Sequence, residues 1–87
     1  MPMADLMKER IRQVLADAGR LAIPVETIGD TDDLYAAGLS SHASVSVMLG
    51  LEDDFDVEFP DAMLTRAVFA SIDAMADGLR QLTVDAA

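Results

Sequence analysis

The sequence contains no cysteine and no tryptophan, a single histidine, and only six lysines and arginines among its 87 residues. Without cysteine there is no disulfide framework, no thiol chemistry of the chain's own and no cysteine zinc site. One histidine, His42, cannot assemble a metal cluster, so no metal site is expected. There is no run of about 20 apolar residues and no signal-peptide pattern, and the expectation is a soluble, cytoplasmic protein that does not engage membranes. The six bases face sixteen acids, for a formal net charge of −10. A surface this acidic repels phosphate backbones and anionic lipid, which disfavours nucleic acid and membrane surfaces as partners. It favours basic protein partners, drawn in by long-range attraction.

What is present suffices for one small core. Apolar residues make up 52% of the chain, and the length corresponds to a single domain spanning 1–87, with an ordered part expected over about 4–82. A domain of this size buries only about 60–65% of the surface its unfolded chain exposes. A deep catalytic cleft does not fit so thin a core, and an enzyme is not expected.

Hydrophobic spacing predicts three principal helices. Over 4–18, Met7, Ile11, Val14, Leu15 and Ala18 recur at steps of three and four, and Gly19 supplies a stop. A second helix is predicted over 41–55, with Val47, Met48, Leu51 and Phe55 as its stripe, closed where Pro60 forces Phe59 out of helical geometry. Asp61 to about Arg66 is expected to add one or two turns. Ser71 is a suitable N-cap for a last helix over 72–82, with a frayed tail from Thr83 to Ala87. Residues 19–40 carry Pro24, Gly29 and Gly38 and no helical period, yet hold Leu21, Ile23, Val25, Ile28, Leu34 and Tyr35. A loop that apolar has to lie on the core. Asp30, Asp32 and Asp33 are placed to cap a short turn at Leu34-Tyr35. With no strand alternation, the fold class is all-α.

Charge is not spread evenly. No base occurs between residues 21 and 65, whereas ten of the sixteen acids do, among them Glu52, Asp53, Asp54, Asp56 and Glu58. The second helix sharpens this asymmetry. At about 100° per residue, with Val45 set to zero, the core stripe falls at roughly 200–300°. Val45, Leu49, Glu52 and Asp56 fall near zero on another face, with Ser41 and His42 at its head and Asp53 at its border. Apolar residues rimmed by carboxylates describe a docking surface. Acids near a helix C-terminus also oppose the helix dipole, so local stability does not account for them. The competing reading packs Val45 and Leu49 under the 19–40 loop.

Gly38-Leu39-Ser40-Ser41-His42 lies where the loop becomes this helix. A helix start offers free N–H groups and partial positive charge, both favourable to a phosphate, although either serine also serves as an ordinary N-cap. No acid–His pair at readable spacing supports a hydrolase.

These elements together resemble the acyl carrier protein family, the phosphopantetheine-dependent carriers. The resemblance rests on Asp33-Leu34-Tyr35, Gly38-Leu39-Ser40-Ser41, Val45, Leu51-Glu52-Asp53-Asp54-Phe55 and Val57-Glu58-Phe59-Pro60-Asp61, gap-free from Gly38 to Asp61. It implies a small bundle of three main helices with a short extra helical turn and a long structured loop after the first helix. Ser41 matches the serine esterified by 4′-phosphopantetheine, whose terminal thiol holds an acyl group as a thioester. The implied partners are a phosphopantetheinyl transferase and a loading ligase or synthase with a basic docking patch. Ser40, His42, Val45, Leu49, Glu52, Asp53 and Asp56 would meet them, and the carrier would act as a monomer. The core stripe would line an apolar space beneath, which in some relatives accepts the acyl chain.

Two departures matter. Ser40 stands where the family commonly has Asp, and His42 where it usually has Leu. The reading is an acyl carrier; these departures weigh against use in general fatty-acid synthesis and, with Ser44 and Ser46, make a dedicated carrier for a small or polar cargo, such as an amino acid or hydroxy acid, the alternative. Two rivals are weighed against the carrier. An EF-hand over Glu52–Glu58 fails on spacing, lacking alternating acids and the glycine at position six. An acidic interaction domain without a prosthetic group explains the docking face but gives no reason for a serine at its head.

Overall fold

The computed structural model describes residues 3–86. Three α-helices form the body: α1 Met3–Ala18, α2 Ser41–Phe55 and α3 Ile72–Ala86. Two short 3₁₀ turns, Val25–Thr27 and Asp61–Met63, interrupt the connections, and no strand occurs among the described residues. No helix of the described residues is long and apolar enough to cross a membrane.

The all-α expectation and the bounds of α2 agree with the structure. Each helix contributes a stripe to one core: Ile11 and Leu15 from α1, Val47 and Leu51 from α2, and Ile72, Met75, Ala76 and Leu79 from α3, all essentially without solvent exposure. Phe59 and Phe69 close one side, their rings tilted with centroids 5.5 Å apart. At Gly50, α2 passes so close to α1 that an added Cβ would stand 2.8 Å from Val14 Cγ1. Met48 and Phe55, expected in the core stripe, are only half-buried, and the small Ala43 occupies the stripe's first turn instead.

The long loop lies on the core as its apolar content requires. Val25, Ile28, Leu34 and Leu39 are buried. Ile23 is the exception, 45% exposed, because the chain turns outward just before Pro24. Pro24 holds φ −61° and leads into a 3₁₀ turn that periodicity did not reveal. The loop's backbone is tied down at three places: Ala22 N–H to Ala37 O at 3.0 Å, Leu34 N–H to Ala70 O at 2.7 Å, and Asp73 N–H to Asp30 O at 2.9 Å.

Two boundaries differ from expectation. The extra turn is shorter, ending at Met63, where Leu64 leaves helical geometry. Ser71 caps α3 as expected, its Oγ accepting from Ala74 N–H at 3.0 Å, but the helix runs to Ala86 rather than stopping at Leu82. Nothing at Thr83 stops it, since β-branched residues such as Thr83 and Val84 lower helix propensity only slightly, and the Thr83 hydroxyl donates back to Arg80 O. Of the tail expected to fray, Ala87 lies outside the described residues.

Candidate functional site

The site is organised by how the loop delivers the chain to α2. Gly38 adopts φ 111°, and a Cβ there would stand 2.8 Å from Ala22 N, so both conformation and space demand glycine. Leu39 then turns inward and is buried. Ser40 follows in extended geometry, and its Oγ accepts from Ala43 N–H at 3.0 Å. This is the N-cap, worth about 1 kcal/mol. Asp33 caps the turn at Leu34-Tyr35 as expected, accepting from Tyr35 N–H at 3.0 Å, whereas Asp32 closes the turn before it, accepting from Gly29 N–H at 2.8 Å. Asp30 does something else, described below.

Ser41 is the first residue of α2 and is exposed. With Ser40 doing the capping, the Ser41 hydroxyl has no hydrogen-bond partner among the described residues. Only its carbonyl is engaged, accepting from Ser44 Oγ at 2.7 Å. His42, next along the helix, is also exposed.

Beside Ser41 runs an open groove of about 540 Å³. Val45 and Met48 of α2, Tyr35 of the loop, and Leu64, Arg66 and Phe69 of the α2–α3 connection form its walls. Sequence reasoning did not assemble this groove. Leu64 and Arg66 sit in a connection without periodicity, and only the isolation of Arg66 at the edge of an acidic stretch was visible. Where an apolar space is expected beneath the core stripe, Val47 and Leu51 are instead sealed in the core, and Met48 borders the lateral groove. A second depression of about 620 Å³ lies between α1 and the first 3₁₀ turn, bordered by Glu9, Arg10, Arg12 and Glu26, and shares no residue with the groove.

The outer face of α2 is open. Val45 is 52% and Leu49 55% exposed, so neither packs under the 19–40 loop. Asp53 is exposed and makes no ion pair among the described residues. Two residues assigned to this face behave differently. The Glu52 carboxylate is half-buried and accepts from Phe59 N–H at 2.8 Å, pinning the chain that leaves α2. Asp56 is exposed but is the helix C-cap, in left-handed conformation with φ 53°, so helical angle arithmetic no longer applies to it.

The acids of 21–65 are also less isolated than the sequence suggests. Lys8, Arg10 and Arg12 of α1 reach across to them. Asp30 receives Arg12 at 2.7 Å and Lys8 at 3.3 Å, and Lys8 continues to Asp73 at 2.8 Å. Arg12 also donates to Val25 O at 2.8 Å. The Arg12 hydrogen bond, aided by Lys8, holds the Asp30 carboxyl below the usual aspartate range against the opposing effect of partial burial. The Lys8 ammonium is raised in turn, by its hydrogen bond to Asp73 foremost and then by that to Asp30. Arg10 pairs with Asp54 at 2.8 Å, donates to its carbonyl at 2.7 Å and lies 4.9 Å from the Phe55 ring centroid. Asp54 is thus matched by a base, whereas Asp53, Asp56 and Glu58, at the end of α2 and in the turn after it, are exposed and form no ion pair among the described residues.

Comparison with known proteins places this geometry among relatives. Residues 9–79 match the family model described as a phosphopantetheine attachment site. An aminoacyl carrier protein of Agrobacterium fabrum (strain C58) is 57% identical over 74 residues, covering 85% of this chain and 89% of that protein. A crystal structure of an engineered Bradyrhizobium japonicum glycine:[carrier protein] ligase, complexed with a carrier protein from Agrobacterium tumefaciens and ATP, matches with 55% identity and TM-score 0.85. That match covers 87% of this chain and 99% of the other. A structure of the Bradyrhizobium japonicum ligase with glycylated carrier protein matches at 26% identity and TM-score 0.74, covering 85% and 99%.

Proposed function

The chain belongs to the phosphopantetheine-attachment family and is a non-catalytic carrier protein, and from that premise we propose that Ser41 bears the 4′-phosphopantetheine arm and that the cargo is an amino acid. One observation carries the assignment to Ser41. Of two adjacent serines at the head of α2, Ser40 is committed to capping the helix, while the Ser41 hydroxyl is exposed and unengaged among the described residues. The surroundings fit a phosphodiester: the helix start presents the unpaired N–H groups of its first turn, and no acid lies in that turn. An aminoacyl cargo is supported by the 57% identical aminoacyl carrier protein and by the relatives solved with a glycine:[carrier protein] ligase. It also agrees with the polar residues Ser40, His42, Ser44 and Ser46 around the attachment point.

When bound, the arm supplies the thiol that the cysteine-free chain lacks, and with it the means to hold an acyl group as a thioester. The chain's own part is to present and to dock. Ser41 Oγ bonds to the β-phosphorus of coenzyme A, 3′,5′-ADP departs, and the hydroxyl proton passes to a base of the phosphopantetheinyl transferase. Val45 and Leu49 give apolar contact to that transferase and to a loading ligase, with Ser40 and His42 at the head of the face. Asp53 and Asp56 attract their basic patches, and Glu52 contributes charge while holding the turn. Such attraction speeds encounter more than it tightens the complex, so loading is expected to slow at high ionic strength. On this reading the whole of 1–87 is one carrier domain, working as a monomer in the cytoplasm.

Incubation with coenzyme A and a broad-specificity phosphopantetheinyl transferase tests the assignment. Intact mass should rise by one arm, and peptide mapping should find it on Ser41. Ser41→Ala should abolish the gain and Ser40→Ala should keep it. An arm on Ser40 or Ser44 would overturn the register, and no gain at all would favour an adaptor without prosthetic group. Aminoacylation of the holo form by a glycine-activating ligase, set against acylation by a fatty-acyl ligase, tests the cargo.

A further inference from the structure

Arg66 is out of character with its surroundings. It is exposed on a chain of net charge −10, in a connection that also carries Glu58 and Asp61, yet it forms no ion pair with a carboxylate among the described residues. The bases of α1 all found acids, and Arg80 found Asp77. Arg20 likewise has no carboxylate partner among the described residues, but it does not line the groove. Arg66 lies over the face of Tyr35 instead, its guanidinium carbon 3.9 Å from the ring centroid. Stacking of this kind uses the face of the guanidinium and leaves its edge, with the N–H donors, open to another group. Both members of the stack line the groove onto which Ser41 opens.

We infer that Arg66, oriented by Tyr35, is the phosphate-binding residue of this carrier, holding the phosphodiester anchored at Ser41 and so setting the direction in which the arm leaves the protein. The inference rests on Ser41 being the attachment point and adds to it a residue from a different part of the chain. The chemistry is specific. A phosphodiester places a fixed negative charge one bond from Ser41 Oγ, on a molecule whose field already repels anions. The start of α2 offers neutral N–H donors, and the groove offers one full positive charge. A guanidinium edge matches two phosphate oxygens at once. A stacked arginine also loses less freedom on binding than one extended into water, because Tyr35 has already fixed its plane.

The test uses the protein in two forms, apo and fully modified, for wild type, Arg66→Gln and Arg66→Lys. Complete modification is verified by intact mass and peptide mapping, so an arm absent or attached elsewhere would overturn the Ser41 assignment itself and the role of Arg66 with it. With the arm on Ser41, the phosphorus-31 resonance of the wild type should move in Arg66→Gln and be restored part-way in Arg66→Lys. In the wild type, added salt should move it toward its Arg66→Gln position. The change in melting temperature on modification should likewise differ between wild type and Arg66→Gln. If Arg66 only staples two loops together through Tyr35, the substitution will lower the melting temperature equally in apo and modified forms and leave the phosphorus resonance in place. That result would overturn the inference while leaving the Ser41 assignment intact.

Discussion

Two acidic regions of this molecule use the same side chains to opposite ends. In the 19–40 loop, Asp30 is gripped by Arg12 and Lys8, and Asp32 and Asp33 are turned onto backbone N–H groups. On the outer edge of α2, Asp53 is left open beside the exposed Val45 and Leu49. The aspartates of the first region are matched with internal donors, and the region includes buried Leu34 and Leu39. The second is left with its charge and its apolar surface unsatisfied, which suits a surface meant to be covered by another protein. A count of acids along the chain does not separate these regions; the partner each acid finds does.

The largest effect should come from leucines on the two sides of this divide. Leu34→Ala removes a side chain with no exposure and should cost about 2–5 kcal/mol in denaturant unfolding. Leu49→Ala, at 55% exposure, should change stability by no more than about 0.5 kcal/mol while slowing loading by a partner ligase. If Leu49→Ala unfolds the protein, the outer face is structural and the contrast fails.

Glu52 and Asp53 set the next test, since they are neighbours assigned to different sides. Glu52→Lys strips Phe59 N–H of its acceptor and should destabilise by about 1–3 kcal/mol. Asp53→Lys should leave the melting curve within about 0.5 kcal/mol and lower the loading rate, with a weakened salt dependence. Equal destabilisation by both would mean that Asp53 has a structural partner too.

A smaller difference separates the adjacent serines. Ser40→Ala should lose about 1 kcal/mol of stability as the cap disappears, and Ser41→Ala almost nothing, read by thermal melting of the apo forms.

The smallest effect is in the pH dependence. Because the folded state lowers the Asp30 carboxyl below its unfolded value, the ion pair stabilises above the ordinary aspartate range, near pH 4. That contribution is lost as pH falls through the lowered value. The wild type should therefore exceed Asp30→Asn in stability at neutral pH, and the gap should close in acid. A gap independent of pH would remove the charge from the argument and leave only the hydrogen bonds.

Local signals in the sequence were enough to locate α2 and the serines at its head. A capping serine, a proline that ends helical geometry and a periodic stripe all lie within one stretch of chain. The inward turn of Glu52 toward Phe59 was not legible, because it depends on how the chain folds back after Asp56. Nor were the partners of Asp30 and Asp54, which come from α1 at separations of 18 to 44 residues. Pairings of that kind are set by how helices pack, and periodicity within one helix does not contain them. Ile23 was misread for the same reason: apolar content placed the loop on the core but not which of its residues turns away. The groove escaped because its walls come from three separate segments, one of them without regular structure.

The division of labour between Ser40 and Ser41 has a further consequence. The hydroxyl that ends the loop and begins the helix is not the one open to chemistry, so a group can be joined to Ser41 or cut from it without loosening the joint beside it. The proposed attachment point is thereby decoupled from the helix cap within two consecutive residues.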